Sequence, residues 1–392
     1  MASSLAIIIL LGLFANRLFE KIKLPGLLGM ILVGALIGPY GFNVLSDVIL
    51  IASADLRKIA LIVILLRAGL GINKKDFEKV GLPAINLSFI PGLLEGLAIA
   101  YLSMKLFNFT FIQGGILGFI IAAVSPAVIV PSMLAFIDKG LGTKKHIPAL
   151  MLASSSIDDV FAITVFSVFM GIYSGTHINI GVKLFSIPLS IILGVIAGVI
   201  IGLVFIKIFR RYNVRATEKI LYVLGSAILL TTLETLIKSK IEIAGLLGVM
   251  AIGFIIFERM PEAGEEMSSK LSKIWVFAEI LLFVLVGAQV NVVLALDAGF
   301  KGILLIFLGL IARSIGVILS LIKTELSMKE KLFCIFANIP KATVQAAIGA
   351  IPLSMGVASG DLILSLAVLS IIITAPLGAI AIRASGKRLL SI

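Results

Sequence analysis

Cysteine occurs once in 392 residues, as Cys334, and histidine twice, as His146 and His177. So few of either exclude a disulfide framework and a Cys/His metal site. Charge is also scarce: Asp, Glu, Lys and Arg make up 14% of the chain, against about 25% in an ordinary soluble domain. There is no GxGxxG, no Walker A sequence and no nucleotide-binding domain. Transport by such a chain would draw on an ion gradient and not on ATP. No linker or charge run is long enough to set off a soluble domain, and no metal centre or organic cofactor is indicated.

What the chain has in abundance is apolar surface. Hydrophobic residues make up 60% and the mean hydropathy is +1.20, which describes a polytopic membrane protein. The first apolar stretch, 3–19, has no basic n-region and no small-residue cleavage site, so it reads as a retained helix and not as a signal peptide. Hydropathy predicts about 13 spans at ~17–25 residues each. They lie near 3–19, 24–40, 55–71, 82–104, 112–137, 148–173, 184–208, 218–236, 242–258, 271–288, 299–322, 330–352 and 362–384.

The net charge of +12 follows the positive-inside rule and does not call for nucleic acid. Loops after odd-numbered spans are basic: Lys21/Lys23, Lys74/Lys75/Lys79, Lys139/Lys144/Lys145, Lys207/Arg210/Arg211/Arg215/Lys219, Arg259/Lys270/Lys273 and Lys323/Lys329/Lys331. Loops after even-numbered spans carry only Lys105, Lys183, Lys238/Lys240 or nothing. This asymmetry predicts an outside N-terminus and a cytoplasmic C-terminus, which requires an odd number of crossings. Basic cytoplasmic loops also suit anionic lipids, including lipids between protomers.

Two spans carry proline at mid-depth. The fifth contains Ser125-Pro126-Ala127-Val128 and then Pro131; the twelfth contains Asn338-Ile339-Pro340-Lys341-Ala342-Thr343. Proline lacks an N–H and clashes with the preceding turn, so each span is either kinked or unwound. Gradient-driven transporters often place interrupted helices at corresponding positions of inverted repeats. With span 7 as a linker, spans 1–6 and 8–13 form two inverted six-helix halves, and both breaks fall on the fifth helix of their half.

Asp158 and Asp159 stand side by side in the apolar run 149–173, directly after the first break. A carboxylate in hydrocarbon costs several kcal/mol unless it is paired, hydrated or protonated. Two neighbours cannot both ionise cheaply without a cation. Hard cations such as Na+ prefer oxygen ligands, so a desolvated carboxyl group holds either a proton or a cation. That competition is sufficient for exchange. Ser155 lies one turn before Asp159 and Ser125 lies at the break; their hydroxyls either supply ligand oxygens or serve helix packing.

Four further charges fall at membrane depth: Glu95, Glu279, Arg313 and Lys341. Spans 4 and 11 are both the fourth helix of their half, so Glu95 and Arg313 can face each other as a structural ion pair; alternatively Arg313 neutralises Asp158. Lys341 can offset negative half-helix ends where they meet. Glu279 has no evident partner in the sequence and faces an interface or a water path. Glu234 and Arg67 lie near span ends, where long side chains reach outward to the headgroups.

These residues resemble a known family. The runs Ser125-Pro126-Ala127-Val128, Pro131-Ser132-Met133-Leu134, Asp158-Asp159 with Ala162-Ile163-Thr164, and Pro340-Lys341-Ala342-Thr343-Val344-Gln345-Ala346-Ala347-Ile348-Gly349 are similar to the NHA branch of the cation:proton antiporters. Leu24-Pro25-Gly26-Leu27-Leu28-Gly29-Met30 and Arg67-Ala68-Gly69-Leu70-Gly71 match as well. The resemblance covers nearly the whole chain. It implies an all-α, NhaA-like fold with crossing broken helices and exchange of Na+ or Li+ for H+ without enzyme chemistry. It also implies a homodimer with possible lipids at its interface, in a bacterial or archaeal plasma membrane. A dimerisation scaffold (1–75 and 210–290) and a mobile core (76–175 and 298–392), joined by a linker helix (176–209), would move as an elevator. Asp159 would be the principal carrier with Asp158 beside it, and Glu95–Arg313 the buried pair. The chain combines the Asp-Asp of electrogenic members with an arginine typical of electroneutral ones. Animal members carry an additional N-terminal helix that this chain lacks, which implies a different dimer packing. A K+/H+ antiporter of the same fold is a second reading. An organic-anion symporter with a crossover fold is a third, but it would call for a polar or basic pocket instead of paired carboxylates.

Overall fold

The computed structural model describes residues 1–22, 26–71, 74–175, 180–212, 214–237, 243–289 and 299–391. Lys23, Leu24, Pro25, His177, Lys238 and Lys240, which enter the reading of the sequence, lie outside these residues. Every regular element among the described residues is a helix. In chain order they are α1 (Ala2–Lys21), α2 (Gly26–Ile37), α3 (Asp47–Ile51), α4 (Ser53–Gly69), α5 (Lys74–Phe107), α6 (Phe111–Ala122), α7 (Pro126–Asp138), α8 (Ile147–Tyr173) and α9 (Ile180–Arg211). There follow α10 (Ala216–Ile237), α11 (Gly245–Arg259), α12 (Pro261–Ala288), α13 (Gly299–Ser320), α14 (Met328–Ala337), α15 (Thr343–Ile348), α16 (Ile351–Ser354) and α17 (Gly360–Leu389).

Among the described residues, 9 stretches are long and apolar enough to cross a membrane: α1, Val80–Phe107 within α5, the α6–α7 pair, α8, Pro188–Arg211 within α9, α10, α12, α13 and α17. The other expected spans, near 24–40, 55–71, 242–258 and 330–352, coincide with the shorter α2, α4, α11 and the series α14 to α16. Helix α2 stops at Ile37, where Gly38-Pro39 follows; a proline disfavours helical geometry in the residue before it.

The two interrupted helices begin alike. Thr110 Oγ1 accepts from Gln113 N at 3.2 Å while Gln113 Oε1 accepts from Thr110 N at 2.8 Å. Ser327 Oγ accepts from Glu330 N at 3.3 Å while Glu330 Oε2 accepts from Ser327 N at 2.6 Å. Both are capping boxes, which satisfy two free N–H groups of a helix start reciprocally. Lys145 Nζ, 2.8 Å from Glu330 Oε2, ties the second start to the loop before α8.

The helices pack in two groups. Helix α5 lies along α13, α6 and α8, and α17 packs on α14 and on the short helices α15 and α16. In the other group α12 packs on α2 and α4, α1 on α2, and α11 on α4 and α9. The groups meet chiefly where α4 touches α7 and where α8 touches α9 and α11. Within the second group, α2 and α12 approach backbone to backbone. A Cβ at Gly34 would stand 2.1 Å from Val284 O, and one at Gly287 would stand 2.1 Å from Ile31 O. Gly287→Leu therefore forces the helices apart at a cost of about 1–3 kcal/mol. Thermal unfolding in detergent should show a lowered midpoint, with Val276→Leu on the exposed face of α12 as the neutral control. An unchanged midpoint for Gly287→Leu would deny the close approach.

Candidate functional site

The two interruptions cross each other. The chain is unwound at 123–125 between α6 and α7, and at 338–342 between α14 and α15. Ser125 N donates to Pro340 O at 2.8 Å. The sequence placed the first break on Pro126, Ala127 and Val128. Instead these residues open α7 and the unwound residues precede them. The reason is that proline suits the first helical position, where its missing N–H would have no partner anyway; Pro131 is carried inside α7. Pro340 and Lys341 do lie in the second break.

Unwinding frees backbone groups that must find partners in a dry interior. Val124 N donates to Asp158 Oδ2 at 2.7 Å, and Lys341 N donates to Thr374 Oγ1 at 3.0 Å. At the end of α6, Gln345 Nε2 donates to the carbonyls of Ile120 (3.0 Å), Ile121 (3.2 Å) and Ala123 (2.9 Å). Lys341 Nζ donates to Ala122 O at 3.2 Å, and Arg313 Nη1 donates to the same oxygen. Cationic donors at a helix C-terminus also oppose its dipole. Neither the carbonyl capping by Gln345 nor its importance could be read from the sequence, because the partners are more than 200 positions away.

The buried charges form one network. Glu95 Oε2 accepts from Arg313 Nη1 at 2.8 Å and from Lys341 Nζ at 2.7 Å. Arg313 Nη2 donates to Asp158 Oδ1 at 3.1 Å and to Asn338 Oδ1 at 3.2 Å. Arg313 therefore contacts both of the carboxylates that sequence symmetry offered as alternatives. Lys341 joins it on Glu95, a contact the sequence did not suggest. Relative exposures of 0% for Glu95 and Lys341, 1% for Arg313 and 2% for Asp158 put all four out of reach of water.

Asp159 differs from its neighbour. Both oxygens of Asp158 are engaged, whereas Oδ1 of Asp159 has no hydrogen-bond partner among the described residues. Asp159 lines a cavity of about 520 Å³. Its polar neighbours in the wall include Ser156, Thr164, Ser167 and Thr343, and toward the first turns of α4 Asp55, Arg57, Lys58, Glu234 and Thr235. The walls come from both packing groups: α8 and α15 on one side, α4, α10, α11 and α12 on the other. Ser155 and Ser156 both donate to Leu152 O at 3.3 Å, and of the two it is Ser156 that lines the cavity. Ser125 is fully buried, its hydroxyl has no hydrogen-bond partner among the described residues, and it is not among the lining residues.

Two further charges lie away from this centre. Arg67, near the end of α4, reaches toward the exposed Asp138 at the end of α7, its Nη2 3.9 Å from Asp138 Oδ2. Glu279 lies within electrostatic reach of Arg67, Arg383 and Glu20, so the residue that looked partnerless belongs to a charged group near the far end of α4.

Residues 5–385 match the family described as "Sodium/hydrogen exchanger, transmembrane". Sodium/hydrogen exchanger 9B2 of Mus musculus is 34% identical over 403 residues, spanning 96% of this chain and 71% of that protein. The protein of the same name from Bison bison bison is 37% identical over 402 residues, spanning 97% and 74%. In three dimensions the chain is similar to the sodium proton antiporter MjNhaP1 from Methanocaldococcus jannaschii at pH 8. There the TM-score is 0.79 at 21% identity, covering 99% of this chain and 98% of that one. The chain belongs to the sodium/hydrogen exchanger family, a family of membrane transporters and not of enzymes.

Proposed function

We propose that the protein exchanges Na+ or Li+ for H+ across a membrane, with cation and proton competing for Asp159. One observation carries the reading. Where the two breaks cross, the buried charges among the described residues are Glu95, Asp158, Asp159, Arg313 and Lys341, three acids against two bases. One negative charge is in excess, and of the three acids Asp159, which lines the cavity, is the one with no ion pair among the described residues. A desolvated site of this kind is stable only when one positive charge joins it. A single alkali cation or a single proton satisfies it equally in charge, and the two together would overshoot. Exchange is then one for one and moves no net charge. Asp158 serves as an anchor for Arg313 and the first break, and Glu95–Arg313 with Lys341 as the charge balance.

The wider architecture follows the same reading: thirteen crossings, two inverted six-helix halves, and an N-terminus outside. Residues 76–175 and 298–392 form the moving core, against a scaffold of 1–75 and 210–290 that pairs two copies of the chain, with 176–209 as the linker. Lipids fill the interface. The separate packing of the two groups and a cavity between them support an elevator movement. In this orientation the cavity opens outward, at the N-terminal end of α4. The expected bacterial or archaeal plasma membrane rests on the sequence resemblance; the curated relatives named above are mammalian.

Purified protein in liposomes with a trapped pH dye tests this. An inward Na+ gradient should drive H+ out, Li+ should substitute, and the half-saturating Na+ should rise as the medium is acidified. An imposed membrane potential should leave the rate unchanged. Acceleration by voltage would overturn the one-for-one exchange. Response to K+ alone would favour a K+/H+ exchanger of the same fold, and Na+ uptake with no proton movement would overturn the reading entirely.

A further inference from the structure

Threonines inside the helices of this protein close on their own chain. Thr164 donates to Val160 O at 2.8 Å, Thr232 to Ile228 O at 2.8 Å, Thr235 to Thr231 O at 3.0 Å and Thr374 to Ser370 O at 2.7 Å. Each uses the carbonyl one helical turn earlier, at position i−4. Thr343 is denied that solution. The residue four positions before it, Ile339, stands in the unwound segment 338–342, and Oγ1 of Thr343 is buried with no hydrogen-bond partner among the described residues. A buried hydroxyl without a partner is costly and uncommon, and calls for an explanation.

Thr343 lines the same cavity as Asp159, whose Oδ1 is likewise buried and unpartnered. Two orphan oxygens, one of them anionic, are satisfied together by one guest that is positively charged and accepts oxygen ligands. A proton binds covalently to the carboxylate and needs no second oxygen, whereas an alkali cation gains from every oxygen that can reach it. An alkali cation coordinates both. We infer that Oγ1 of Thr343 is a ligand of the transported alkali cation beside Asp159, and that it contributes to cation affinity without contributing to proton affinity. The break in the helix is what sets this oxygen free. The inference rests on the exchange reading above.

The test compares Thr343→Val, which keeps the shape and removes the oxygen, with Thr343→Ser, which keeps the oxygen, in the same liposomes. Thr343→Val should raise the half-saturating Na+ and Li+ concentrations about tenfold, equivalent to ~1.4 kcal/mol of binding, and Thr343→Ser should restore most of the loss. The proton affinity, read from competition of H+ against Na+, should not move. Native Na+ affinity in Thr343→Val overturns the proposal, and so does an equal loss of proton affinity, which would mark a merely structural role. Thr343→Ala gives a second reading in detergent, through the Na+ concentration that half-stabilises the protein against heat. A native value there also overturns the proposal. Absence of any exchange by the unsubstituted protein is seen before a variant is compared, and it removes the exchange reading and this proposal together.

Discussion

Asp159→Asn abolishes exchange while leaving the protein folded. The amide is close to isosteric with the carboxylate, and Asp159 makes no ion pair or hydrogen bond through Oδ1 that the fold depends on. What is lost is the excess negative charge of the buried centre. Leaving one partner of a buried charge interaction uncompensated costs about 3–5 kcal/mol, which corresponds to a hundredfold or more in affinity for the guest, at about 1.4 kcal/mol per tenfold. Proton efflux driven by Na+ should therefore fall to the level of empty liposomes, with a thermal unfolding midpoint at or above that of the native protein. Exchange at the native rate would show that the carrier lies elsewhere.

Arg313→Met has the opposite character: it damages the fold. The guanidinium holds Glu95 at 2.8 Å and Asp158 at 3.1 Å, and it donates to Asn338 Oδ1 in the second break. Its removal leaves two excess negative charges in a dry interior, again worth about 3–5 kcal/mol. That is a large part of the ~5–15 kcal/mol that holds a typical protein folded. Little folded protein should be recovered from membranes. Adding Glu95→Gln to Arg313→Met brings the count back to three remaining charges, Asp158, Asp159 and Lys341, with one negative in excess as in the native protein. The double variant should recover much of the yield and of the unfolding midpoint, measured by fluorescence-detected size exclusion and scanning fluorimetry. If the double variant is no better than the single one, the charge balance is not what the network provides.

The parts legible in the sequence were those set by cost. Charged residues in apolar runs stand out because membrane burial penalises them, so Asp158, Asp159, Glu95, Arg313 and Lys341 could each be found. Their meeting at one centre follows from the crossing of two prolines-marked breaks. The details set by rotation and reach were not legible. Ser155 and Ser156 differ by one position on α8 and share the carbonyl of Leu152, yet of the two it is Ser156 that lines the cavity. The first unwound segment precedes Pro126 because proline is compatible with a helix start. Lys341 and Gln345 reach across to the end of α6 with long side chains, and no spacing rule links positions so far apart. The duplicated capping boxes at Thr110 and Ser327 were present as Ser/Thr-x-x-Gln/Glu, a local signal that marks where each broken helix begins.

The buried network has a kinetic consequence. Glu95, Asp158, Arg313, Asn338, Lys341, Gln345 and the carbonyls at the end of α6 all belong to one packing group, and none of their mutual hydrogen bonds spans the cavity to α4, α10, α11 or α12. In the elevator movement proposed above, this assembly travels as a unit with its polar contacts intact. The ion pairs at the centre ride along unbroken, whereas the pair of Arg67 with Asp138, which spans the two groups between α4 and α7, has to give way.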